Sequence, residues 1–120
     1  MSRRQNLGRW GEGVAAEYLQ GKGYEIVARN LRNPYGEIDL LARQGEVLVF
    51  VEFKTRSSRQ FGYPEEAVDA AKLEHITAAA EDYLQQESDT AVDWRVDVIA
   101  IRKLQSGQSP EIVHFENVIA

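Results

Sequence analysis

The sequence predicts an α/β fold: a mixed five-stranded sheet with helices packed on it, in the order α-β-β-β-α-β-β. Three observations predict it. An apolar stripe at helical spacing lies between Leu7 and Lys22. The run Val47–Lys54 is apolar on both of its faces through Val51, the mark of a central strand covered on two sides. A second helical stretch then separates this run from the next strand, long enough for a crossover that allows a parallel pairing.

Each element has its own signal. The first helix is expected from Leu7 to Lys22, stopped by Gly21 and Gly23, with Ala15, Ala16 and Leu19 inward and Tyr18 flanking. Tyr24–Arg29 is a short strand, and Asn30–Tyr35, containing Asn33-Pro34, a turn. Glu37–Arg43 is the second strand and Gln44-Gly45 a tight hairpin turn before the third strand. Ser57–Tyr63 is a polar loop. Pro64 suits a first helical turn, with Glu65 and Glu66 near its positive end, and the helix is expected to run to Gln86. Trp94–Arg102 and Ile112–Ile119 are the last two strands, separated by a loop over Ser106–Pro110.

The 120 residues fit one domain, and 43% hydrophobic with 28% charged residues suits a packed core. Cysteine is absent, which excludes disulfides, thiol nucleophiles and Cys-ligated zinc. His75 and His114 lack metal-ligand spacing and are expected to be surface or partly buried residues. No apolar run approaches the length of a membrane span, about 20 residues, and the basic start of the chain is followed by no apolar stretch of a secretion signal. A cytoplasmic protein with no membrane partner is expected. The net charge of −5 is split unevenly: residues 1–60 hold ten Lys/Arg and seven Asp/Glu, residues 61–120 four and twelve. The basic half, with Arg3, Arg4, Arg9, Arg29, Arg32, Lys54, Arg56 and Arg59, is compatible with phosphate contacts.

Several polar residues break the apolar pattern. Glu12 falls within the inward arc of the first helix. In the third strand Glu52 and Lys54 follow Leu48 and Phe50 on one face. In the second strand Asp39 shares a face with Glu37 and Leu41. A turn at Gln44-Gly45 sets Asp39 opposite Phe50 and makes Glu52 its diagonal neighbour; a small bulge would bring the two carboxylates directly opposite. Two carboxylates so close raise each other's pKa unless a cation sits between them. With Glu12 they form a hard-oxygen set suited to Mg²⁺ or Mn²⁺. Lys54 supplies a positive group beside it, placed to position an attacking water or stabilise developing charge. Alone, each of these features is an ordinary exposed ion pair or strand carboxylate; together they point to phosphodiester chemistry.

Asp39 and Glu52-Phe53-Lys54 resemble the motif of the PD-(D/E)xK nuclease superfamily, with Ile38 in place of its proline. The chain as a whole resembles the YraN, or UPF0102, family over residues 8 to about 101. The matching residues are Gly11-Glu12, Ala15-Ala16, Leu19, Asn30, Gly36–Leu40, Val49–Lys54, Arg56, Phe61-Gly62, Lys72 and Arg95–Val98. The resemblance implies a restriction-endonuclease-like core and a metal-dependent nuclease. In it Asp39, Glu52 and Lys54 are catalytic, Glu12, Asp39 and Glu52 hold the metal, and the substrate is DNA before RNA, with branched DNA a candidate. Arg9, Arg56 and Lys72 are candidate nucleic-acid contacts, Arg56 as a phosphate clamp on the Glu52/Lys54 face. Lys72 could equally snorkel from the long helix, and Glu37 is either an alternative ligand or a rim carboxylate. Asp97 is expected in a structural ion pair with an arginine, and Trp10 and Trp94 as core or rim aromatics, with Trp10 beside Arg9 able to stack on a base. A nucleic-acid-binding module without turnover and a protein-interaction adaptor remain alternatives. A homodimer would be required for symmetric junction cleavage, but no patch in the sequence identifies one.

Overall fold

The third strand organises the molecule in the computed structural model, which describes residues 3–57, 64–87 and 92–119. This strand, β3 (Val47–Ser57), lies at the centre of a five-stranded sheet of order β1-β2-β3-β4-β5. Its neighbours are β1 (Glu25–Asn33), β2 (Gly36–Gln44), β4 (Trp94–Lys103) and β5 (Glu111–Phe115). The pairing of β3 with β4 is parallel and the other three are antiparallel, so the expected meander and crossover are both present.

Helix α1 (Arg3–Gly21) covers one face and α2 (Ala70–Gln86) the other. Ala15 and Leu19 of α1 pack on Leu40, Ala42, Val49, Val51, Ile99 and Ile101. Ile76, Ala79 and Ala80 of α2 pack on Leu41, Leu48, Phe50 and Val96. The alternation of β3 is thereby explained: Val49 and Val51 face α1, Leu48 and Phe50 face α2. Phe50 makes edge-on contacts with Tyr83 and Trp94, their ring centres 5.9 and 5.8 Å away. Trp94 thus borders the α2 core, and Trp10 borders the α1 core.

Several boundaries differ from expectation. Strand β1 continues to Asn33, so the turn shrinks to Pro34-Tyr35; Asn33 Oδ1 accepts from Tyr35 N–H at 3.0 Å and its Nδ2 donates to the Ala79 carbonyl at 2.9 Å. Asn30 stays in the strand with a φ of 54°, a conformation asparagine tolerates better than most residues. The predicted 64–86 helix divides into a 3₁₀ turn, Pro64–Ala67, and α2, because Asp69 adopts an extended backbone and caps the new helix through Ala71 and Lys72 N–H. Strand β5 ends at Phe115, where Asn117 turns with a φ of 52°. The polar loop, Phe61-Gly62 and Arg59 lie outside the described residues.

Gly11 shows how closely α1 rides on β3. A Cβ at this position would run into the Thr55 methyl group. Elsewhere in a helix, Gly→Ala gains about 0.8–1.0 kcal/mol. Here Gly11→Ala is expected to cost about 1–3 kcal/mol through overpacking. Adding Thr55→Ala should restore most of it, as a double-mutant cycle of urea melts will show.

Candidate metal and phosphate site

The hairpin register decides which side chains meet. Gln44 pairs with Val47, so the turn is Gly45-Glu46, one residue later than expected, with Gly45 at a φ of 61°. Moving a turn by one residue shifts the register by two and keeps every side chain on its face. Leu41 is therefore opposite Phe50 and Leu40 opposite Val51, the last pair of the ladder, with Asp39 and Glu52 the next residues beyond it on each strand. The expected Asp39–Phe50 pairing is corrected, and the two carboxylates lie near enough for the charge of Glu52 to act on Asp39.

At this point β2 and β3 part, and the Asp39 carboxylate replaces the ladder: its Oδ2 accepts the Phe53 backbone N–H at 3.1 Å. Burial pushes the Asp39 carboxyl up to about 6 from an ordinary 3.8, and the charges of Glu52 and Glu37 add to that rise. The Phe53 N–H and the Lys72 ammonium oppose it. On Glu52, Oε1 lies 3.5 Å from Lys72 Nζ, while Oε2 is buried with no hydrogen-bond partner. A buried carboxylate oxygen without a donor is costly, and either a hydrogen-bond donor or a cation would relieve that cost.

Both carboxylates line a groove of about 1700 Å³, together with Lys54, Arg56, Lys72 and Lys103. It opens beyond the carboxyl-terminal half of β3, between the start of α1 at Asn6–Gly8 and the first turns of α2. Glu37 stands on the rim, 3.8 Å from Arg32, an ion pair with both partners well exposed. His75 lines the groove as well, one turn after Lys72. Sequence reasoning assigned His75 no role; its place three residues beyond Lys72, on the same side of a helix, was the available signal.

Two predicted residues stand elsewhere. Glu12 does not line the groove; its Oε1 accepts from Asn30 Nδ2 at 3.0 Å. The reason is the layering: α1 covers the Val49/Val51 face, whereas Glu52 follows Leu48 and Phe50 on the α2 face. Among the described residues, no third His, Asp or Glu joins Asp39 and Glu52 with ligand atoms all within 4.8 Å. Arg9 is exposed and also lies outside the groove lining.

The described residues that do meet that spacing are Asp97, His114 and Glu116. Their chemistry is already committed. Asp97 is fully buried, with Arg95 Nε and the Asn117 N–H each 3.0 Å from Oδ1 and His114 Nε2 2.7 Å from Oδ2. Burial alone would raise its pKa, but these three partners bring the carboxyl below its ordinary value. The expected ion pair with an arginine is present, with Arg95 as the partner. His114, in contact with Tyr18 at 3.3 Å, completes a network that ties β4 and β5 to α1. Two of the candidate residues, Asp39 and Glu52, are thus brought together with Lys54, Arg56 and Lys72, while Asp97 holds the fold.

The chain is similar to known proteins over most of its length. A family model described as "Uncharacterised protein family UPF0102" matches residues 11–101. A UPF0102 protein of Syntrophotalea carbinolica is 47% identical over 112 residues, covering 93% of this chain and 89% of the relative. One from Beutenbergia cavernae is 42% identical over 118 residues, covering 98% and 99%. One from Chlorobium limicola is 49% identical over 96 residues, covering 80% and 74%.

Proposed function

The chain belongs to the uncharacterised UPF0102 family, and we propose that it is a metal-dependent nuclease hydrolysing phosphodiester bonds of nucleic acid, DNA before RNA. The observation that carries this reading is the pair Asp39–Glu52 in a groove whose other charged walls are largely basic, with Glu52 Oε2 buried and unpartnered. Carboxylates that merely neutralised the basic walls would spread among them. Here two stand near enough for the charge of Glu52 to add to the rise that burial imposes on the Asp39 carboxyl.

The donor set fits Mg²⁺ or Mn²⁺: two hard oxygens from adjacent strands, with room in the groove for water and a phosphate oxygen. When bound, such a cation supplies Lewis-acid polarisation of a phosphoryl oxygen and a more acidic water. Asp39 and Glu52 hold it; the Phe53 N–H keeps the Asp39 carboxylate aimed at the parting of the strands. Lys54, two residues from Glu52 on the same face, presents its ammonium to charge that develops during attack. Arg56, further along the same face, offers a fork for a phosphate. Glu12, bonded to Asn30 outside the groove, is not part of this pair.

The reading is tested by cleavage of flapped, branched, single-stranded and plain duplex substrates with Mg²⁺ or Mn²⁺. Cleavage of at least one substrate, abolished by EDTA and by Asp39→Asn, is expected. Binding to the panel with no metal-dependent cleavage would assign the fold to a binding module instead.

A further inference from the structure

Lys72 occupies an unusual place for a lysine. It is the third residue of α2, in the first turn, where the positive end of the helix favours carboxylates and disfavours ammonium groups. Its backbone is held by the Asp69 cap, whose Oδ1 accepts from Lys72 N–H at 3.2 Å. Its side chain reaches over the groove to Glu52 Oε1 at 3.5 Å. The pair is asymmetric. The Lys72 side chain is 50% exposed and that of Glu52 only 18%. The ammonium therefore keeps much of its water and leaves Glu52 cheaply, whereas Glu52 has little access to solvent if Lys72 departs. The lysine also satisfies one carboxylate oxygen alone, leaving Oε2 without a donor.

We propose that Lys72 is a resident counter-ion of Glu52 that gives up its place when a divalent cation binds and then turns its ammonium to a phosphate of the nucleic acid in the same groove. This rests on the metal-dependent reading above. A cation on Glu52 removes the attraction that holds Lys72 and adds repulsion against it. Lys72 lines the groove together with Lys54 and Arg56, so the released ammonium stays where a phosphate backbone would lie. Metal loading and nucleic-acid binding are then coupled, and by linkage each strengthens the other. Without metal, Lys72 keeps Glu52 compensated and the groove one cation short.

Mn²⁺ calorimetry on the full chain separates the possibilities, using Lys72→Met, which keeps an apolar stem of similar length, and Lys103→Met as a control. Lys103 lines the same groove but rests over the Trp10 ring, 5.4 Å from its centre. Loss of either lysine removes one positive charge from the groove, but only Lys72 competes for Glu52. Lys72→Met is expected to bind Mn²⁺ at least fivefold more tightly than wild type, and Lys103→Met within about twofold of it. A fluorescent duplex oligonucleotide should show the reciprocal effect: Mn²⁺ raises its affinity for wild type by a larger factor than for Lys72→Met. Wild type binding Mn²⁺ with Lys72→Met no tighter than Lys103→Met would overturn the counter-ion role and leave the metal reading standing. Failure of all three proteins to bind Mn²⁺ would overturn both.

Discussion

Lys54→Ala is expected to cut the rate of cleavage by about 10²–10³ and to leave Mn²⁺ affinity nearly unchanged. The reason is a division of labour within one strand. Glu52 and Lys54 share a face of β3 and the same groove, but a carboxylate and an ammonium do different work. The carboxylate is needed before reaction, to hold the cation. The ammonium acts on charge that exists only during attack, so its loss appears in turnover and not in ground-state binding. If Glu52–Lys54 were an ordinary surface ion pair, its loss would cost under about 1 kcal/mol of stability and change no rate. Single-turnover cleavage, Mn²⁺ calorimetry and a thermal melt on this variant give three numbers. A wild-type rate on a substrate that wild type cuts would refute the role of Lys54 even with the fold intact.

Asp39→Asn and Asp97→Asn are expected to change stability in opposite directions. The Asp39 pKa, about 6, stands above its ordinary 3.8. A raised carboxyl contributes stability below the unfolded pKa and loses it as pH rises through the folded one. At neutral pH without metal, the ionised Asp39 therefore weakens the fold by on the order of 2–3 kcal/mol. Asp39→Asn removes that penalty and still offers an oxygen to Phe53 N–H. In EDTA it should melt higher than wild type at pH 7–8, with the difference fading as pH falls from 6 toward 4. Asp97 has the reverse sign. Its pKa is lowered, so its stabilisation is present above pH 3.8 and lost as pH falls through the folded value. Asp97→Asn leaves Arg95 without its carboxylate in a largely buried position and is expected to cost about 3–5 kcal/mol at neutral pH. Destabilisation by Asp39→Asn in EDTA as large as that of Asp97→Asn would make Asp39 a structural residue too.

The contrast between these two aspartates marks what could be read from the chain alone. Both interrupt apolar strands, and for Asp97 a structural ion pair with an arginine is expected from the sequence, which the structure identifies as Arg95. The partner His114, seventeen residues further on, depends on β5 pairing with β4 in a particular register, which no local pattern encodes. The two-sided apolar run of β3 was enough to predict a central strand, because burial on both faces leaves no room for alternation. The turn was harder. Gly45 fits either position of a two-residue loop, and that one-residue ambiguity decides whether Asp39 or Leu41 stands opposite Phe50. The split of the second helix had a readable signal in Asp69, an N-cap residue, outweighed by the apolar spacing that continues across it. Glu12 illustrates a limit of another kind. Helical periodicity shows that it points inward, but not which face of the sheet its helix covers, and α1 covers the face away from Glu52.

The account stands on Asp39 and Glu52 sharing a divalent cation. The most direct measurement is anomalous diffraction from crystals soaked in Mn²⁺. A peak between the Asp39 and Glu52 carboxylates, about 2.1–2.3 Å from an oxygen of each, is the expected result, with Lys72 Nζ moved away from Glu52. A map with no peak there, and Lys72 still paired to Glu52, would contradict it.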